Sequence, residues 1–303
     1  MIKYALLIAA AAFAGFAFWF YNLSGPRQLN FADKIWSLSS AQNTNAVKAI
    51  AYGPDARQKL DIYTPATART DALQKTSEDE EPRKVLIFFH GGSWRDGERE
   101  GYEFLGKAFA ERGFVTVIAD YRKTPAVKFP AFIEDAASAI RWTYDKIARH
   151  SGSRDQIYLM GHSAGAHIAM MAALDPQYLA KQGLDGKVIK GVIGLAGPYD
   201  FLPFTSDGAK AALGDWPRPQ ETQPIHYAGP RAPSMLLLTG DKDETVKPRN
   251  SSALAAAISK SGGSAAVKIY PGVDHAGIMM AVARPFRSKA TVVDDTTAFL
   301  TRP

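Results

Sequence analysis

The chain has 303 residues, 46% of them hydrophobic and 11% aromatic, with 36 Lys and Arg against 30 Asp and Glu for a formal charge of +6. That content supports a substantial core and argues against disorder, and the length allows one large α/β domain with an appendage or two small domains. With no cysteine, disulfides, thiolate metal sites and a cysteine nucleophile are excluded. The basic residues are scattered, without the dense run that marks nucleic-acid binding. Their excess suits proximity to an anionic membrane, or serves solubility alone.

Tyr4 to Tyr21 carries no charge and is almost wholly apolar. As a helix it would be about 27 Å long, enough to span the hydrocarbon of a bilayer. Lys3 precedes it, and Trp19 and Tyr21 stand at the far end, where aromatics prefer the headgroup layer. Ala12-Phe13-Ala14 has the small-x-small pattern of a signal-peptide cleavage site, but cleavage there would leave Phe16 to Tyr21 as an apolar stub. Residues 1–24 therefore read as an uncleaved signal-anchor, a transmembrane helix with its membrane contact through residues 4–21, with a signal peptide and secretion as the alternative. Positive-inside reasoning puts the bulk of the chain on the periplasmic or extracytoplasmic side, although Arg27 and Lys34 weaken the bias.

Residues 25–45 read as a polar linker with a short helix around Phe31 to Leu38. Two strand-like runs follow, Val47 to Tyr52 and Lys59 to Tyr63, joined by the turn Gly53-Pro54-Asp55. Thr64 to Arg83 reads as a solvated loop, with Glu78-Asp79-Glu80-Glu81 near its end. From there the pattern alternates. Val85 to Phe89 is a fully apolar strand, Tyr102 to Arg112 a helix closed by Gly113, and Phe114 to Ala119 a strand. Pro130 to Ala148 is a helix with apolar Phe132, Ile133, Ala136 and Ile140 on one face. The strand Ile157 to Met160 leads into a helix over Ala164 to Leu174. Val188 to Leu195 and Ser234 to Thr239 are strands, Arg249 to Ser261 a helix, Ala266 to Tyr270 a strand and Thr291 to Thr301 a last helix. Such alternation specifies a mostly parallel, doubly wound sheet, here eight-stranded, with the first hairpin as its antiparallel edge. Residues 46–303 are thus expected to form one catalytic domain. Gly197 to Pro233 interrupts the pattern and is expected to be a small cap or pocket wall.

Gly161-His162-Ser163-Ala164-Gly165 stands at a strand-to-helix junction. A serine there occupies a tight turn whose flanking positions approach the neighbouring strand and helix too closely for side chains. Backbone strain would hold its hydroxyl out of the sheet. A serine hydroxyl is a poor nucleophile at neutral pH, so it needs a base, and the base needs an orienting acid. Asp243, in the loop Gly240 to Val246, is the choice of acid by position, with Asp241 and Glu244 as flanking rivals in a place where loop acids often serve only as caps. His275, in Gly272 to Gly277, is the choice of base, because it follows the last strand. Of the other five histidines, His90 and His162 lie inside motifs, His167 lies on the elbow helix, His226 in the insertion and His150 after a helix. An oxyanion needs two backbone N–H donors aimed at one point. Ala164, at the start of its helix, supplies one. The turn His90-Gly91-Gly92-Ser93-Trp94 supplies the other, with Ser93 the first candidate beside Gly92 and Trp94. His90, Phe201, Phe204 and Trp216, with Leu202, are candidates for the substrate pocket. No metal and no cofactor is implied.

These stretches, with Lys59-Leu60-Asp61-Ile62-Tyr63 and Asp120-Tyr121-Arg122, resemble the α/β-hydrolase superfamily. The branch is that of HGG-type carboxylesterases, related to hormone-sensitive-lipase-like, acetyl/feruloyl-esterase-like and kynurenine-formamidase-like enzymes. The resemblance covers roughly Val47 to Leu300. It implies the α/β-hydrolase fold and selects Asp243, since in that branch the acid lies three residues after the strand-end glycine and three before a valine. The loop reads HGGSW rather than HGGG, which points away from bulky-ester lipases and toward the smaller esterase and formamidase groups. The implied activity is hydrolysis of small to medium acyl esters through an acyl-enzyme on Ser163, with a small-molecule ester as partner and no nucleic acid. Alternatives are a lipid-active lipase or deacylase at the membrane, an arylformamidase-type amide hydrolase, and a catalytically silent binding protein.

Overall fold

Eight strands make one sheet: β1 (Thr44–Ala51), β2 (Lys59–Pro65), β3 (Arg83–Phe89), β4 (Val115–Ala119), β5 (Gly152–His162), β6 (Ile189–Leu195), β7 (Ser234–Gly240) and β8 (Ala265–Tyr270). The computed structural model describes residues 20, 22–36, 44–66 and 81–302, and the strand order is β1-β2-β4-β3-β5-β6-β7-β8. β1 pairs with β2, and β2 with β4, antiparallel. Every later pair is parallel. The doubly wound sheet with an antiparallel N-terminal edge is therefore the fold, that of an α/β-hydrolase. β1 starts three residues earlier than the apolar pattern suggests, because an edge strand with six exposed positions has no alternation to read.

Helices cover both faces. Along β3, Val85, Ile87 and Phe89 enter one core and Leu86 and Phe88 the other, the period-two pattern of a strand buried on both sides. The first core joins α3 (Ala131–Lys146), α4 (Ala164–Leu174) and α7 (Arg249–Lys260) through Phe132, Ile140, Ile168 and Leu254. The second joins α2 (Glu103–Ala110) and α9 (Val292–Leu300) through Phe104, Phe109 and Phe299. The short helices α5 (Pro176–Lys181), α6 (Asp207–Leu213) and α8 (Gly277–Met280) sit in the connections. Phe89, Gly161 and Gly194 lie on one register line. The loops leaving β3, β5 and β6 therefore emerge side by side at the carboxyl edge, where ligands bind in open α/β sheets.

The stretch expected to be a linker contains α1 (Gly25–Trp36), which starts six residues before the helix expected at Phe31. It packs on the second core through Leu29 and is pinned by the buried carboxylate of Asp33. Asp33 accepts from the backbone N–H and the guanidinium of Arg284 at 2.8 and 2.7 Å.

The expectation of a transmembrane signal-anchor is corrected. Among the described residues no helix is long and apolar enough to cross a membrane. α1, among the described residues, has 12 residues, carries Arg27, Asp33 and Lys34, and docks on the domain. Residues 4–21, on which that reading rested, lie outside the described residues apart from Phe20, as do residues 67–80 of the acidic loop.

Candidate active site

Ser163 sits between β5 and α4 at φ 53° and ψ −123°, in a region that side chains other than glycine rarely adopt. The turn is tight enough that a Cβ on Gly161 would lie 2.3 Å from the Gly165 carbonyl oxygen. A Cβ on Gly165 would lie 2.0 Å from that of Phe89. The Ser163 N–H donates to the Leu195 carbonyl at 2.9 Å, and its own carbonyl accepts from Ala166 and His167. The turn is thus fixed from both sides, and the serine is half-exposed at the sheet edge.

On the loop after β7, Asp243 is buried, and its Oδ1 accepts the N–H groups of Thr245 and Val246 at 3.0 and 2.8 Å. Its Oδ2 lies 2.7 Å from Nδ1 of His275. The rival acids stand elsewhere. Asp241 is exposed and accepts the Gly272 N–H, and Glu244 is exposed and pairs with Lys247. With Nδ1 taken up by a carboxylate, Nε2 is the His275 nitrogen left for proton transfer.

His162 has no role legible from its motif, yet it ties the histidine loop to the elbow. Its Nε2 donates to the His275 carbonyl at 3.1 Å, and the two rings lie 4.9 Å apart. Burial pushes the His162 imidazole down to about 3, and the neighbouring His275 adds to the shift. A neutral ring that both donates and packs is what this position needs.

In the HGGSW turn φ is positive at three successive residues, 124°, 53° and 58° at Gly92, Ser93 and Trp94, and strained at the last two. The Gly92 carbonyl is turned to accept from Arg95 and Asp96. Ala164 opens α4, where a helical N–H has no intrahelical acceptor. The Trp94 indole donates to Nδ1 of His167 at 3.3 Å, and Nε2 of His167 donates to the Thr222 carbonyl at 2.8 Å. Burial holds the His167 imidazole down to about 4, so the HGGSW turn, the elbow helix and the insertion are joined through one neutral ring.

His90, expected in the substrate pocket, is instead fully buried beneath the turn. Its Nδ1 meets the Gly91 carbonyl, its Nε2 meets Asp120 at 2.9 Å, and Tyr121 stacks on it at 4.6 Å. Burial alone would raise the Asp120 carboxyl, but hydrogen bonds from His90 and from Lys123 at 2.5 Å hold it well below the usual carboxylate range. Phe201 stacks on Trp94 at 6.1 Å with Phe204 beside it at 5.6 Å, whereas Trp216 packs edge-on against Phe129. The 197–233 insertion thus leans on the HGGSW turn. No group of His, Asp and Glu able to hold a metal occurs among the described residues.

Sheet order, elbow and the Asp–His pair at the carboxyl edge define the chain as one of α/β-hydrolase fold. Residues 60–258 match the BD-FAE family, and the chain belongs to it. A protein of Arabidopsis thaliana named as a probable isoprenylcysteine alpha-carbonyl methylesterase is 28% identical over 256 residues, 77% of this chain and 51% of that protein. Esterase LipQ of Mycobacterium tuberculosis is 31% identical over 265 residues, 81% of this chain and 60% of its own length. The chain thus spans about half to three-fifths of these curated relatives. Among solved structures, Thermogutta terrifontis esterase 2 phosphonylated by sarin superposes with a TM-score of 0.70 at 23% identity, covering 84% of this chain and 93% of that one.

Proposed function

We propose that the chain is a serine carboxylesterase that hydrolyses small to medium acyl esters through an acyl-enzyme on Ser163. The observation that carries the reading is the 2.7 Å bond between His275 and the buried Asp243, on a loop bound to the strained elbow that presents Ser163. Nε2 of His275 removes the Ser163 proton as the hydroxyl oxygen attacks the acyl carbon, and the Asp243 carboxylate holds the tautomer and steadies the imidazolium. The N–H groups of Ala164 and of the turn at Ser93, with Gly92 and Trp94 beside it, receive the developing oxyanion. His275 then protonates the leaving alkoxide, and by the same route in reverse it activates water to release the acid. The esterase names borne by the relatives support the reaction class.

The test is the initial rate on p-nitrophenyl acetate and butyrate for the wild type and Ser163→Ala. The expected loss is at least about 10⁴-fold with the unfolding midpoint unchanged. Undiminished hydrolysis by a folded Ser163→Ala protein would overturn the assignment.

A further inference from the structure

Helix α1 lies outside the residues matched by the family and roofs a cavity of about 460 Å³ against the catalytic domain. Leu29 forms its roof, Tyr102, Met280 and Phe286 form its walls, and His162 and Ala276 form one end. Those last two each stand one residue from Ser163 and His275, and the His162 ring is packed between the cavity and the His275 ring. Ala276 is exposed, and the proposed base His275 precedes it in the chain.

The polar groups on the wall are already engaged. The Gln28 amide donates to the Phe20 and Leu23 carbonyls. Nε2 of His162 is bonded to the His275 carbonyl, and the Tyr102 hydroxyl is bonded to the backbone of Gly91. What faces the space is hydrocarbon, thioether and aromatic ring. The volume falls in the range of small-molecule sites, and flexible methionine side chains adapt to ligands of varied shape.

We infer that this cavity receives the apolar arm of the ester, an aliphatic or aromatic group larger than acetyl or ethyl, and that α1 is therefore a specificity element of the enzyme. The inference rests on the serine-esterase reading above. Either the acyl or the alcohol side of the substrate supplies the arm, and both bring the same chemistry to the same wall. Each methylene that enters raises kcat/KM about fourfold, the equivalent of about 0.8 kcal/mol of transfer free energy.

The experiment uses the full chain and two substrate series, p-nitrophenyl esters from acetate to palmitate and acetate esters from ethyl to octyl alcohol. Leu29→Trp and Met280→Trp fill the cavity from the roof and from a wall, and Met280→Ala enlarges it. In one of the series, both tryptophan variants are expected to lower the ratio of kcat/KM for the long member to that for the short one at least about tenfold. Met280→Ala is expected to move the optimum to longer chains, so the prediction survives if one tryptophan variant does not fold. The responding series identifies the acyl or the alcohol arm. Ratios unchanged in both series, in variants that fold and are inactivated by Ser163→Ala, would overturn the inference and leave the esterase reading standing. Turnover that survives Ser163→Ala would overturn the esterase reading itself.

Discussion

His162 and His167 are both buried as neutral rings, each with a defined tautomer: Nε2–H bonds a backbone carbonyl in both cases. Burial lowers their affinity for protons to about 3 and about 4, against 6.5 for an exposed imidazole. Between those values the unfolded chain binds more protons than the folded one, so stability rises with pH there. It is full above about pH 6.5 and is lost as the pH falls toward 4, by up to about 1.4 kcal/mol per pH unit for each ring. Urea titrations at pH 7 and pH 5 are expected to show that loss, and His167→Gln, which cannot take up the proton, should lose less between them. An equal slope in the two proteins would sink the argument. Legibility at this scale was uneven. The pairing of Asp243 with His275 was legible because chain order in this fold leaves few candidates for such a pair. The tether made by His162 was not, because it joins residues 113 apart in the chain. His90 was misread as a pocket residue because nothing in HGGSW shows the Asp120 carboxylate waiting below it.

At the scale of elements, α1 has 12 residues, too few to hold a helix in water without tertiary contacts. Its docking runs through Asp33 on Arg284, through Asn30, which accepts the Phe104 N–H at 2.8 Å, and through Leu29 on the second core. Loss of the Asp33 charge leaves Arg284 paired with Glu111 alone and removes a charged hydrogen bond, at a cost of about 1.5–3 kcal/mol. In Asp33→Asn, amide exchange over 25–36 is expected to accelerate at least about tenfold while β3 and β5 keep their protection. Slower or unchanged exchange in that helix, or faster exchange everywhere, would count against α1 as a separately docked element. The chain order of strands and helices was legible because parallel strands buried on both faces read as continuous apolar runs. The start of α1 was not, although Pro26 in its first turn is the kind of residue that marks a helix start. Its apolar face is narrow, and its partner Arg284 lies 251 residues away.

For the whole molecule, the two faces of the sheet carry different duties. The first core, behind α3, α4 and α7, supports the elbow, while the second carries α1 and the walls of the cavity. Ile140 on α3 is fully buried in the first core. Truncation to alanine removes three carbons from a packed interior and leaves a void, at a cost of about 2–5 kcal/mol. The groups proposed to react, by contrast, are held by hydrogen bonds among loops at the carboxyl edge: Asp243 to Thr245 and Val246, His162 to the His275 carbonyl, Trp94 to His167. Stability and site geometry should therefore separate. Ile140→Ala is expected to lower the unfolding midpoint in urea in proportion to that cost. Its kcat on p-nitrophenyl acetate, measured well below the transition, should stay within about twofold of the wild type, since polar networks at a distance from a mutated side chain respond independently. A drop in kcat parallel to the loss of stability, in protein shown to be folded, would mean that the core behind α3 sets the elbow geometry directly. The strain at Ser163 would then be held by packing rather than by the backbone bonds on either side of it.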